Sequence, residues 1–136
     1  MQPSSRFSFD NTPGDGFGEA PVAEAEAVGQ TAVATLTPTE LSGMTATRLV
    51  EELFEYVETQ GCRHFVLDLQ NVQYMDSACV GALVELLNRL QKRDGRIALV
   101  NAARSVEYLF KLTRLDRVFP MCRDVMSALQ IVERGS

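Results

Sequence analysis

The chain predicts an α/β fold: a mixed, mostly parallel sheet of about five strands, opened by an antiparallel hairpin and covered by about four helices. Three observations carry this. Period-two and period-3.6 hydrophobic patterns alternate along residues 21–136, the order of a parallel sheet with helical crossovers. The run His64-Phe-Val-Leu-Asp-Leu69 is almost continuously apolar, as in a strand covered on both faces. Shortly after it, Asp76-Ser77 opens a helical pattern, which places a hydroxyl at a helix N-terminus.

Each element follows in order. Residues 1–20 are rich in Gly, Pro, Ser and Asp and read as a flexible tail, with Phe7, Phe9 and Phe17 scattered in it. Residues 22–28 alternate with period two, Gly29-Gln30 makes a turn, and residues 31–37 alternate again: a hairpin, stopped by Pro38. Leu49, Leu53, Phe54 and Val57 form one face of a helix over 45–58, with Glu51, Glu52, Glu55 and Glu58 outside it. Gly61 ends that helix. The helix after Asp76 runs to about Arg93, with Val80, Leu83, Val84, Leu87 and Leu90 inward. Asp94-Gly95 is a turn and residues 96–100 are the next buried strand. A short helix spans 103–112, Val118-Phe119 reads as a short edge strand stopped by Pro120, and Asp124 caps a last helix over 125–133.

At 136 residues the chain suits one domain, and 46% hydrophobic residues suffice for a core. No run approaches the roughly 18 apolar residues of a membrane span, and the N-terminus lacks a signal-peptide pattern. A soluble cytoplasmic protein is expected, with no membrane insertion. Of the net charge of −5, residues 1–30 supply most: Asp10, Asp15, Glu19, Glu24 and Glu26 stand against Arg6 alone. The nearly neutral remainder argues against nucleic acid as a partner, since phosphate neutralisation needs clustered bases. Arg89, Lys92, Arg93 and Arg96 do cluster, but they flank a helix end, where they suit the dipole and a solvated turn.

Catalytic and metal signals are weak. Cys62, Cys79 and Cys122 are widely spaced and accompany one histidine, His64, so a zinc site is not expected and the thiols read as small buried or half-buried groups. Gly14, Gly16 and Gly18 precede no helix, so no phosphate-cradling loop and no cofactor are expected. Asp68 invites comparison with the phosphoacceptor of response-regulator receivers. No acidic pair follows the first strand to hold Mg²⁺ and no lysine ends a later one, so Asp68 is expected to bond a polar loop or backbone N–H groups. His64 reads as a surface or packing residue.

The Asp76-Ser77 turn admits two readings. Asp76 caps the helix and Ser77 fills its first turn, or Ser77 is also a kinase target or a hydroxyl presented to a partner. A phosphoserine there adds about −1.5 to −2 charges at a terminus that tolerates anions.

The strand, then Met75-Asp76-Ser77, then a helix opening Val80-Gly81, then Gly95-Arg-Ile-Ala-Leu-Val100, is similar to a STAS domain, the fold of bacterial anti-sigma factor antagonists and sulphate-transporter tails. Phe110-Lys-Leu-Thr-Arg-Leu-Asp-Arg-Val-Phe119 resembles the segment leading to that family's last strand. The resemblance covers about residues 22–133. It implies a single STAS domain over 21–136 that is not an enzyme but an anti-sigma factor antagonist in a partner-switching pathway. Its partner would be an anti-sigma factor with serine kinase activity, with a phosphatase restoring the unmodified form. Ser77 would be the phosphorylation site. Partner binding would use Glu40, Leu41, Ser42, Met75, Asp76, Ser77, Ala78, Cys79 and Gly81. The family pattern has Ser or Thr and then Gly after the acceptor serine, where this chain has Ala78 and Cys79; the added Cβ and thiol are expected in the path of an approaching kinase. The family's early loop often reads Gly-Glu-Leu-Asp, where this chain reads Thr39-Glu40-Leu41-Ser42. The alternatives are a non-phosphorylated STAS scaffold or regulatory subunit of a stress-signalling or transporter complex, and a small-ligand sensor.

Overall fold

A computed structural model describes residues 21–134. The tail expected over residues 1–20 lies outside the described residues. The strands are β1 (Ala23–Val28), β2 (Thr31–Leu36), β3 (Glu40–Leu41), β4 (His64–Asp68), β5 (Tyr74–Met75), β6 (Ile97–Val100) and β7 (Met121–Cys122). Between them lie α1 (Gly43–Gln60), α2 (Ser77–Gln91), α3 (Arg104–Leu112) and a 3₁₀ turn at Leu115–Arg117, and α4 (Val125–Arg134) follows β7.

Five strands form the main sheet in the order β1-β2-β4-β6-β7. Only β1–β2 is antiparallel; the other pairs are parallel. The expected architecture is therefore the observed one. Central β4 is buried along its whole length, which explains its unbroken apolar run. Successive side chains go to opposite faces. Phe65, Leu67, Ile97 and Leu99 join Leu49, Leu53, Leu83 and Phe110 in the larger core. Val66, Ala98 and Val100 meet Ala128 and Val132 of α4 in the smaller one.

The alanine-rich edge strand β1 is secured from α1. The N–H groups of Val22 and Ala23 donate to the Glu52 carboxylate at 3.0–3.2 Å, and the Tyr56 hydroxyl donates to the Ala25 carbonyl at 3.0 Å. Burial raises the Glu52 pKa, and the two backbone donors oppose that rise. These bonds occupy backbone groups of an otherwise free sheet edge.

Gly61 ends α1 in the left-handed region, φ 72°, and its N–H donates to the Tyr56 carbonyl. Gly95 answers a different need: a Cβ there would collide with the Arg63 carbonyl. His64 is buried, and its Nδ1 accepts the Arg96 N–H at 3.1 Å. Burial, then the Arg63 and Arg96 charges, holds its pKa below the ordinary imidazole value. The basic cluster at the end of α2 has a packing role as well as a solvated one. The guanidinium groups of Arg89 and Arg93 lie 5.3 and 5.1 Å from the Phe54 ring centroid, bridging α2 to α1.

One predicted strand is displaced. Val118-Phe119 is not the edge strand; that strand is Met121–Cys122. The N–H groups of Val118 and Phe119 both donate to the Leu115 carbonyl, so local turn bonds use them before any ladder can. Pairing starts at Pro120, whose carbonyl accepts the Leu99 N–H at 2.8 Å. Phe119 is instead a fully buried anchor, edge-on to Phe110 with centroids 5.5 Å apart.

Candidate functional site

The site lies at the carboxyl end of the parallel strands. There β4 stops at Asp68, whose carboxylate accepts the Gln70 N–H at 3.0 Å and the Asn101 amide at 3.1 Å. Asp68 thus ties two loops together, the bonding role expected of it. Beyond it the chain forms a pairing that two-residue strands cannot announce by periodicity. β3 and β5 lie parallel, with Glu40 opposite Tyr74 and Leu41 opposite Met75. The N–H groups of Gln73 and Tyr74 donate to the Thr39 carbonyl, and the Asp76 N–H donates to the Leu41 carbonyl at 3.1 Å. The early loop and the Asp76-Ser77 turn are therefore one hydrogen-bonded unit.

Asp76 has extended backbone and caps α2: its Oδ1 accepts the Cys79 N–H at 3.0 Å, and its carbonyl accepts the Val80 N–H at 3.1 Å. Ser77 follows as the first helical residue and is exposed. Its hydroxyl has no hydrogen bond among the described residues. Opening N–H groups of a helix lack intrahelical partners, so the hydroxyl stands where added negative charge is tolerated.

The nine residues expected to bind a partner separate by depth. Glu40, Ser77, Ala78 and Gly81 are exposed, and Ser42 and Asp76 are half-buried, all on the β3–β5–α2 unit. Leu41, Met75 and Cys79 are buried. They shape the surface from beneath and do not form it, because strand alternation and the helical repeat turn these three positions toward the core. The expected obstruction by the Cys79 thiol is corrected in the same way. The thiol is fully buried, and burial followed by the Asp76 charge pushes its pKa up to about 12. It faces the core and remains protonated at neutral pH.

Two surface residues at this site escape the sequence reading. Met44, in the first turn of α1, is 82% exposed, and Tyr74 is 53% exposed. Tyr74 is the outward neighbour of buried Met75, an alternation legible only once β5 is known to be a strand. Exposed apolar groups of this size beside polar ones are features of contact surfaces.

Among the described residues no group of His, Cys, Asp or Glu has metal-binding geometry, and no helix is long and apolar enough to cross a membrane.

Comparison with known proteins agrees with this architecture. The chain is 26% identical over 94 residues to an anti-sigma F factor antagonist of Paenibacillus polymyxa, covering 69% of this chain and 80% of that one. Among solved structures, an anti-sigma factor antagonist from Mycobacterium paratuberculosis superimposes with a TM-score of 0.67 at 22% identity, over 82% of this chain and 92% of its own. The anti-sigma factor antagonist SpoIIAA, unphosphorylated, superimposes with a TM-score of 0.64 at 18% identity, over 84% of this chain and 99% of its own. SpoIIAA from Bacillus is also known in a phosphorylated form. The STAS domain family matches residues 24–128, and the chain belongs to that family.

Proposed function

We propose that the chain is an anti-sigma factor antagonist, a binding protein and not an enzyme, whose partner is an anti-sigma factor with serine kinase activity. The contact surface is the β3–β5–α2 unit, with Ser77 at its centre and Glu40, Ser42, Met44, Tyr74, Asp76, Ala78 and Gly81 around it. The observation that carries the reading is the exposed Ser77 hydroxyl, without a hydrogen bond among the described residues, directly after the capping Asp76. That a relative bears the antagonist name, and that SpoIIAA exists in both phosphorylation states, supports it.

In the modification, the Ser77 oxygen forms a bond to the γ-phosphorus of ATP held by the kinase. The bond from that phosphorus to the bridging oxygen breaks, ADP leaves, and the hydroxyl proton passes to a base of the kinase. The product gains about −1.5 to −2 charges next to the Asp76 carboxylate. The helix terminus tolerates that charge, whereas a closely packed interface does not, so the fold persists and the partner is expelled. A phosphatase reverses the step. Ala78 and Cys79 depart from the family pattern without adding bulk to the surface, since Ala78 is smaller than the Ser or Thr of the pattern and the Cys79 side chain is buried.

The test is labelling by the cognate anti-sigma factor and ATP, followed by peptide mapping. Phosphate on Ser77, and none on a Ser77→Ala variant, is the expected result. Equal labelling of that variant, or label elsewhere, rejects the assignment. Stable association unaffected by Ser77→Glu favours the scaffold role.

A further inference from the structure

The outer face of α3 carries an apolar strip that the Ser77 surface does not use. Tyr108 and Leu112 are each 65% exposed and lie one turn apart on the same side of the helix. The charge of the sequence around this strip is unlike that of the rest of the domain. Across residues 104–124, Arg104, Lys111, Arg114, Arg117 and Arg123 stand against Glu107, Asp116 and Asp124. Residues 21–103 have the opposite balance, 11 acids to six bases. Lys111 is paired with Glu107 at 3.5 Å and the Arg123 charge acts on neighbouring Asp124, but Arg104, Arg114 and Arg117 form no ion pair among the described residues.

We propose that residues 1–20 of the same chain cover this face. Their composition is complementary to it: Phe7, Phe9 and Phe17 for the apolar strip, and Asp10, Asp15 and Glu19 against a single base, Arg6, for the arginines. The connection point is favourable. The Pro21 carbonyl accepts the Thr37 hydroxyl at 2.7 Å, which anchors the segment at the carboxyl end of β2. α3 starts at the same end of the sheet, directly after β6. From β1 across to β7 is four strand spacings, about 20 Å. Twenty extended residues span up to about 65 Å, so reach is ample. The Ser77 surface is the poorer seat, because Glu40 and Asp76 repel the acids of the segment. Tethering supplies a millimolar effective concentration, so modest contacts suffice. This inference does not depend on Ser77 being phosphorylated.

Amide NMR spectra of the full-length protein test it. The F7S/F9S/F17S variant should shift signals of residues 104–118 and leave those of α4 in place. Conversely, Y108S/L112S should shift signals within residues 5–19. Both effects should survive tenfold dilution and shrink at about 0.5 M salt, where exposed charges are screened. If Y108S/L112S fails to fold, the tail variant alone decides. Unmoved signals at 104–118 overturn the proposal. Shifts at 39–44 and 74–81 instead would put the segment on the Ser77 surface and also overturn it. Effects that vanish on dilution would mean contact between copies, which contradicts an intramolecular seat.

Discussion

Helices α2 and α3 both start at the carboxyl end of the parallel strands, and they are held in opposite ways. α2 begins with a side-chain cap from Asp76 and buries Cys79, Val80, Leu83, Leu86, Leu87 and Leu90. α3 follows Ala103, which offers no side-chain cap, and buries only Val106 and Phe110. Distributed burial fixes the position of α2, so the Ser77 hydroxyl is presented from a rigid support. α3 is held by buried Val106, by Phe110 edge-on to Phe119 and by the Ser105 hydroxyl, which donates to the Gln73 carbonyl at 3.0 Å, and it keeps Tyr108 and Leu112 outside. The difference leaves the Ser77 end of α2 firmly placed and α3 more lightly held.

The largest expected effect breaks the weaker of the two. Phe110→Ala should cost about 3–5 kcal/mol, from lost burial and the cavity left against Phe119. In hydrogen exchange, amides of α3 and the following turn should lose protection first, while α2 keeps its own. Leu83→Ala in α2 should cost about 2–5 kcal/mol and lower protection across the whole domain. Equal, global responses to both substitutions would remove the distinction drawn between the helices.

A smaller change sharpens the role of the cap. Asp76→Ala should cost about 1 kcal/mol in thermal unfolding, and Asp76→Asn, which retains an acceptor for the Cys79 N–H, should cost less. The thiols add a check on burial: in native protein at pH 8, Cys79 should resist a maleimide until denaturation, whereas half-buried Cys122, packed against the α4 cluster and with its pKa raised by burial and then Asp124, should react slowly but well before Cys79.

Most of the fold was legible because buried strands and amphipathic helices repeat with different periods. The apolar run of β4 and the spaced leucines of α2 needed no structure to interpret. The β3–β5 pair was hidden because two residues carry no period, and with it went the exposure of Tyr74. Val118-Phe119 misled because apolar, β-branched and aromatic residues before a proline look like a strand, yet the Leu115 carbonyl captures their N–H groups in a turn. At the site, the position of Ser77 was readable from the cap signal. The depth of Leu41, Met75 and Cys79 was not, since it depends on which side of a short element meets the core.

The smallest effect concerns the opposite end of the sheet, remote from both helix starts. His64 must be neutral to accept the Arg96 N–H, and its pKa is lowered from 6.5. Its contribution is fully present above about pH 6.5 and is lost as pH falls through the lowered folded value. His64→Asn keeps an acceptor without titrating, so the variant's stability should change less with pH over that window. An identical pH profile would show that His64 does not titrate as described.

The central claim is that the Ser77 hydroxyl marks a regulated contact surface on a helix that itself stays in place. Calorimetric binding of the cognate anti-sigma factor to wild-type, Ser77→Ala and Ser77→Glu proteins, with melting temperatures recorded alongside, tests this most directly. The expected result is wild-type affinity for Ser77→Ala, at least about tenfold weaker binding for Ser77→Glu (about 1.4 kcal/mol), and near-equal melting temperatures for all three. Wild-type affinity of a folded Ser77→Glu protein would contradict the account.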